Sequence, residues 1–218
     1  MITLVVVLLL SYLIGSIPTS ILVGRLVAGI DVREHGSGNA GATNVYRVIG
    51  IGPAVAVGLV DVAKGAVAAL LFSGIELGGP APVDPVLLRL LAGGSSVIGH
   101  VWTVFARFKG GKGVATAIGA LVGIIPAALG VAVVAWVVLL LSVRIMSVAS
   151  MAAAVVLPVA VWVLESRPDG STPTELLLFT AVLALLILFT HRKNIGRLVH
   201  GEEPRLGRSD QKSEGTPS

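Results

Sequence analysis

The sequence has 218 residues, 55% of them hydrophobic and only 13% charged, and contains no cysteine. Soluble domains carry about 25% charged residues, so this is a polytopic membrane protein, and the lack of cysteine excludes disulfides, cysteine metal sites and thioester intermediates. The net charge of +4 sits in short loops and forms no basic soluble face for nucleic acid.

A helix that crosses a bilayer needs about 20 apolar residues. Residues 2–24 predict the first crossing, with no basic segment ahead of them that would make a signal peptide. A polar loop over 31–50 follows, then a second crossing over 51–73 that carries Asp61 and Lys64. These two are three residues apart and share a helix face. Charges inside a membrane face a protein interior or a wet cavity; a functional pair and a structural ion pair both remain open.

The loop over 74–85 is rich in glycine and proline and holds Glu76 and Asp84 without a cation. A third crossing over 86–106 leads into Arg107, Lys109 and Lys112. From 113 to 143 there is no charge, too long a run for one crossing and short for two at about 1.5 Å per residue. Pro126, with Gly123 and Gly130, offers a break. Arg144 ends that run, 145–164 crosses again, 165–174 reads as an exposed turn, and 175–190 is the last crossing. A basic cluster follows, and from Gly201 a polar tail over 201–218 is expected to be disordered, leaving 1–200 as a single transmembrane domain.

Parity decides the uncharged run. If 113–143 crosses twice, the three polar clusters of the chain share one face with Arg33, Arg144 and the basic tail. The other face then holds Glu76, Asp84, Glu165, Asp169 and Glu175, with Arg89 and Arg167 as its cations. Cytoplasmic loops carry the excess of Lys and Arg. The expectation is therefore an all-α membrane bundle of about seven helices, N-terminus outside, C-terminus and all three clusters cytoplasmic.

The first cluster is His35-Gly-Ser-Gly-Asn-Ala-Gly-Ala-Thr-Asn-Val-Tyr-Arg47, the second Lys109-Gly-Gly-Lys-Gly113, the third His191-Arg-Lys-Asn-Ile-Gly-Arg197. Glycines bring backbone N–H groups close to an anion, while hydroxyls, amides and cations add oriented donors. Arg47, Lys112, Arg192, Lys193 and Arg197 are the usual kind of phosphate clamp. No carboxylates or histidines have metal-ligand spacing. A phosphate-binding P-loop is excluded: the positions that need Gly and Ser or Thr are Ala106 and Gly113. Histidine followed five residues later by aspartate, a signature of soluble acyltransferases, is also absent. The site is expected to bind phosphate, without a metal or other cofactor.

The three clusters resemble, in order, the motifs of the bacterial acyl-phosphate:glycerol-3-phosphate acyltransferases, the PlsY family. Ser37-Gly-Asn-Ala-Gly-Ala-Thr-Asn-Val-Tyr-Arg47, Phe108-Lys-Gly-Gly-Lys-Gly-Val-Ala-Thr116 and His191-Arg-Lys-Asn-Ile-Gly-Arg-Leu198 carry the resemblance. Asp61-Val-Ala-Lys-Gly65, Gly99-His100 and Gly201-Glu202-Glu203 extend it. Thr103 stands where the family pattern suggests proline, and Thr190 where it suggests a basic residue. The resemblance implies a multi-pass enzyme of the bacterial inner membrane. It would move a fatty acyl group from acyl phosphate to the 1-hydroxyl of glycerol-3-phosphate, giving lysophosphatidate and phosphate, with membrane lipids as surroundings.

It further implies that Ser37, Arg47, Lys112, His191 and Asn194 meet glycerol-3-phosphate or the reacting centre. Arg47 and Lys112 would hold phosphate charge and stabilise the oxyanion. The base would be His191 or a phosphate oxygen of a substrate. Gly38, Asn39, Thr43, Asn44, Gly110 and Gly111 would cradle the acyl phosphate, with Ser147 and Ser150 as further binding candidates. His100 reads as a packing or gating residue, and His35 and His200 as solvated. The rival function is a transporter or channel for a phosphorylated solute, which would want midplane groups on repeated halves; the chain shows no repeat.

Overall fold

A computed structural model of the protein describes residues 1–166 and 173–206. The centre of the predicted 165–174 turn, with Arg167 and Asp169, and the tail after 206 lie outside the described residues. Within them the chain is all-helical. Backbone amides in hydrocarbon must be satisfied inside their own segment, which a helix achieves.

The first apolar run is broken in two. Helix α1 (Ile2–Gly15) stops before Pro18, and α2 (Thr19–Ala28) resumes after it. Proline has no N–H to continue the ladder and its ring clashes with the preceding turn. A short helix, α3 (Ala42–Val48), lies in the polar loop, and α4 (Ile51–Ala66) runs on through a π-helical turn at Val67–Leu71. Helix α5 (Pro85–Val101) starts at Asp84, whose carboxylate accepts from the amides of Val86 and Leu87 at 2.8 and 3.4 Å. The remaining helices are α6 (Val114–Leu121), α7 (Pro126–Val143), α8 (Met146–Leu164), α9 (Thr174–Thr190) and α10 (Arg192–Val199).

Among the described residues, five stretches are long and apolar enough to cross a membrane: Ile2–Ala28, Ile51–Gly74, Pro85–Ala106, Pro126–Val143 and Met146–Leu164. Helices α9 and α10, bent by 58° at His191, make a sixth if taken together. The uncharged run divides ahead of Pro126, as its sequence suggests. Its first part, α6, has 8 residues and rises only about 12 Å. Even so, both ends of the run lie at the polar clusters. Lys112 enters there, and at the far end the Arg144 carbonyl accepts from the Leu206 amide at 2.7 Å. The chain leaves that face along α6 and returns along α7, with an outward leg shorter than a full crossing.

Helix α1 packs on α5, α4 on α6, α7 on α8, and α8 on α9. In lipid there is little hydrophobic drive between helices, so association depends on close van der Waals approach. Glycine provides it. A Cβ on Gly119 of α6 would lie 1.8 Å from the Val62 carbonyl oxygen of α4, and one on Gly65 would lie 2.0 Å from that of Thr116. Leu90, Val97, Leu121, Ile125, Leu157 and Val161 fill the core between α5 and α9. Exposed Leu26, Leu59, Val134, Leu141 and Leu185 form the outer apolar surface.

Asp61 and Lys64 do form a buried pair, Nζ to Oδ1 at 2.7 Å. Lys64 also donates to the carbonyls of Ile17 at 2.8 Å and Gly15 at 3.4 Å, so it satisfies acceptors freed where the first run breaks. A second anchor is the Thr103 hydroxyl, which donates to the Ser16 carbonyl. The chain then turns through Arg107 and Phe108, which hold left-handed φ of 56° and 60°. This turn is fixed by the Ala106 and Phe108 amides, both donating to the Thr103 carbonyl.

The α4–α6 contact has no room for a methyl group, because the atoms a Cβ meets are backbone. Gly119→Ala is expected to destabilise the bundle by about 3 kcal/mol, read as a fall in thermal midpoint in detergent.

Candidate active site

The first polar cluster is folded around Asn44. Its Oδ1 accepts from the Ser37 amide at 2.8 Å and the Ser37 hydroxyl at 3.1 Å. Its Nδ2 donates to the carbonyls of Val32 at 2.7 Å and His35 at 3.1 Å. The whole side chain is buried and committed to its own loop. Gly36 and Gly38, with φ of 59° and 70°, let the backbone turn around it. The result presents Ser37, Gly38 and Asn39 outward. Arg33 braces the loop: it forks onto the Asp31 carboxylate at 2.7 and 3.0 Å and donates to the Ala106 carbonyl at 3.2 Å. The Arg33 hydrogen bonds hold the Asp31 carboxyl down at about 2, against the opposing effect of burial.

The second cluster docks on the end of α5. The amides of Gly110 and Gly111 donate to the carbonyls of Val101 and His100, each at 3.1 Å. Those N–H groups are therefore turned toward the end of α5. Their role is closeness: a Cβ on Gly110 would lie 2.0 Å from the His100 carbonyl oxygen. Lys112 follows directly, and Gly113, φ 84°, starts α6.

The third cluster sits at the bend between α9 and α10. His191 is 2% exposed, and its Nδ1 lies 2.8 Å from the Ile187 carbonyl. A carbonyl only accepts, so Nδ1 carries the hydrogen and Nε2 the lone pair. Asn194, one turn on, accepts from Lys112 Nζ at 2.5 Å and donates to Glu203 Oε1 at 2.6 Å. Thr190 donates to the Lys112 carbonyl at 3.2 Å, so the residue that departs from the family pattern ties the second cluster to the third.

Glu203 lies in the stretch expected to be a free tail. Residues 201–206 instead strap across the cluster. The Glu203 carboxylate accepts from Ser147 at 2.7 Å, Asn194 at 2.6 Å and Arg197 Nε at 2.7 Å. Arg47 donates to the Pro204 carbonyl at 3.5 Å. Burial, the largest single influence, pushes the Glu203 carboxyl up. The bonds from Asn194, Ser147 and Arg197 together hold it below its usual range.

Ser37, Gly38, Asn39, Lys112, Thr190, Lys193, Asn194 and Arg197 line one open cleft of about 100 Å³. Burial pushes the Lys112 ammonium down to about 8; Glu203 pulls it up, while Arg197 and Arg47 depress it further. His191 stands beyond the crossing segment Thr174–Thr190. Burial first, then the Lys112 charge, push its imidazole down to about 4. The cleft is thus a cationic pocket with amide and hydroxyl groups aimed into it, suited to an anion carrying a hydroxyl.

Of the residues expected from sequence, Ser37, Gly38, Asn39, Lys112 and Asn194 come together in the cleft. Arg47 and Ser147 act on it through the strap. Asn44, Gly110 and Gly111 shape the loops from behind, and Thr43 lies half-buried at the start of α3. Ser150 is engaged with the Trp136 indole at 3.3 Å and is not among the cleft residues. Glu203 enters the sequence reading only within Gly201-Glu202-Glu203, which extends the family resemblance without assigning it a role.

Fold and cleft together define a helical integral membrane protein with a cationic cleft where its helices end. The chain belongs to the glycerol-3-phosphate acyltransferase family, whose model matches residues 5–201. A glycerol-3-phosphate acyltransferase of Chlorobium phaeobacteroides (strain BS1) is 43% identical over 94% of this chain and 97% of its own. One from Pelodictyon phaeoclathratiforme is 44% identical with the same coverage. The crystal structure of PlsY, an integral membrane glycerol 3-phosphate acyltransferase, in its glycerol 3-phosphate form superposes with a TM-score of 0.80. It shares 33% identity, covering 94% of this chain and 96% of that one. Its lysophosphatidic acid form gives a TM-score of 0.78 at 32% identity.

Removing the Glu203 carboxylate strips three hydrogen bonds and leaves Arg197 without its ion pair. Glu203→Ala should cost about 2 kcal/mol, discounted because Arg197 is partly exposed. Faster amide exchange at residues 201–206 would report release of the strap, and unchanged protection there would contradict it.

Proposed function

We propose that this protein transfers a fatty acyl group from acyl phosphate to the 1-hydroxyl of glycerol-3-phosphate. The observation that carries the reading is the single cleft in which Ser37 and Asn39, Lys112, and Asn194 with Arg197 converge from three distant segments. Membership of the glycerol-3-phosphate acyltransferase family supports it.

The hydroxyl oxygen attacks the acyl carbonyl carbon, and the bond from that carbon to the phosphate oxygen breaks. Inorganic phosphate leaves, and the hydroxyl proton ends on one of its oxygens. The mixed anhydride arrives activated, so the residues hold and neutralise. Lys112, Lys193 and Arg197 supply positive charge for the phosphate groups, and Lys112 for the developing oxyanion. Ser37 already donates to Asn44, which leaves its oxygen to accept from the attacking hydroxyl. An imidazole near 4 is a weak base for an alcohol. We therefore assign His191 to positioning through Nε2 and the proton to a phosphate oxygen of the acyl phosphate.

The cleft belongs, in this reading, to the cytoplasmic face of the bacterial inner membrane, with the N-terminus outside. Arg33, Arg47, Arg107, Lys109, Arg144 and Arg192 around the three clusters support that orientation. The α6 leg then counts as the seventh, shortened crossing. A reporter fused after Ser218 is expected to read as cytoplasmic.

The deciding experiment supplies purified protein in lipid with glycerol-3-phosphate and either palmitoyl phosphate or palmitoyl-CoA. Lysophosphatidate and phosphate should form from the acyl phosphate alone. Activity with the CoA donor only would overturn the donor assignment, and solute flux without product would point to a transporter. Lys112→Ala should lower kcat by at least about 100-fold in protein that still folds, and Arg47→Ala should lower it less, through loss of the bond to the Pro204 carbonyl.

The pH dependence follows from Lys112. Its ammonium is present below about 8 and lost as pH rises through that value. Because kcat/KM reports the free enzyme, it should fall about tenfold per pH unit above the midpoint. A flat profile to pH 10 would remove the Lys112 charge from the mechanism.

A further inference from the structure

Asp61, Lys64 and His100 lie outside the cleft, and the chemistry above uses none of them. All three are more than nine-tenths buried. They form a continuous line. Lys64 holds the Ile17 carbonyl at 2.8 Å and Asp61 at 2.7 Å; Asp61 Oδ1 faces His100 Nδ1 at 3.7 Å. The other edge of the His100 ring ends against the second loop. A Cβ on Gly111 would stand 2.2 Å from His100 Nε2 on one side and 2.8 Å from the Ala40 carbonyl oxygen on the other. Gly111 is thus pressed between the imidazole and the first loop, and it is the residue before Lys112. Asp61, His100, Thr103, Gly110 and Gly111 share a small cavity at this junction.

An ion pair that only stabilised the bundle would not need to end in a contact that excludes a methyl group from a functional loop. On the acyltransferase reading, we propose that His100, oriented by Asp61 and Lys64, is a positioning residue that sets the height of the Lys112 loop against the first loop. A smaller side chain lets Gly111 sink toward α5 and widens the gap between Lys112 and the Ser37–Asn39 edge. A misplacement of about 1 Å in a positioned group costs up to ~100-fold in rate.

The test uses the full chain in lipid with glycerol-3-phosphate and palmitoyl phosphate, comparing wild type, His100→Ala, His100→Gln and Asp61→Asn. His100→Ala is expected to raise KM for glycerol-3-phosphate about tenfold or more, counted per folded molecule. It should also shrink the rise in thermal midpoint that glycerol-3-phosphate gives the wild type. His100→Gln, which keeps a polar group of similar reach beneath Gly111, should recover most of both. Asp61→Asn should fall between wild type and His100→Ala. If His100→Ala does not fold, the KM and ligand-induced shift of His100→Gln and Asp61→Asn decide. Loss of folded protein with unchanged KM and ligand shift in the folded remainder would overturn the proposal. An inactive wild type would instead overturn the acyltransferase reading.

Discussion

The Glu203 carboxylate is the interaction on which the site depends. One oxygen takes Ser147 from the start of α8 and Asn194 from α10, and the other takes Arg197. Asn194 passes the constraint on to Lys112, so a charge near the C-terminal end of the described chain fixes a cation in the loop before α6. An anion already present among these cations also lowers their mutual repulsion. Burial is the largest influence on the Lys112 ammonium and lowers it to about 8, with Glu203 opposing.

Around this junction several polar groups that enter apolar surroundings are satisfied by a neighbouring side chain. Lys64 covers carbonyls at the break between α1 and α2, Asn44 covers those of its own loop, and Thr103 covers that of Ser16. Glycines at the α4–α6 crossing bring helix backbones into contact. A rigid frame follows, and the cleft residues project from its ends rather than from free loops.

Much of this was legible in the sequence. Charge-free runs marked the membrane segments, clustered glycines with cations marked the segments that converge on the cleft, and the spacing of Asp61 and Lys64 put them on one face. The break of the 113–143 run ahead of Pro126 was readable from its proline and flanking glycines. What stayed hidden was direction. A glycine between lysines reads the same whether its N–H points at a ligand or, as at Gly110 and Gly111, at the end of α5. Asn44 has the same composition as a ligand-binding amide, yet both ends of its side chain are consumed within its own loop. Glu203 was obscured by the polar stretch around it, because a strap held by side chains leaves no periodic apolar pattern to read.

The turn through Arg107 and Phe108 carries a consequence for how such chains can be recombined. Left-handed backbone costs a non-glycine residue roughly 1–2 kcal/mol, offset here by bonds to Thr103, Val101 and His100 and by the Arg33 brace on Ala106. The conformation therefore belongs to a set of residues from three parts of the chain and not to the turn itself. A chimaera that exchanged residues 104–111 alone between relatives would inherit the strain without the partners. The transferable unit is the turn together with Ser16, Arg33 and the last turn of α5, and crossover points between relatives should fall outside that set.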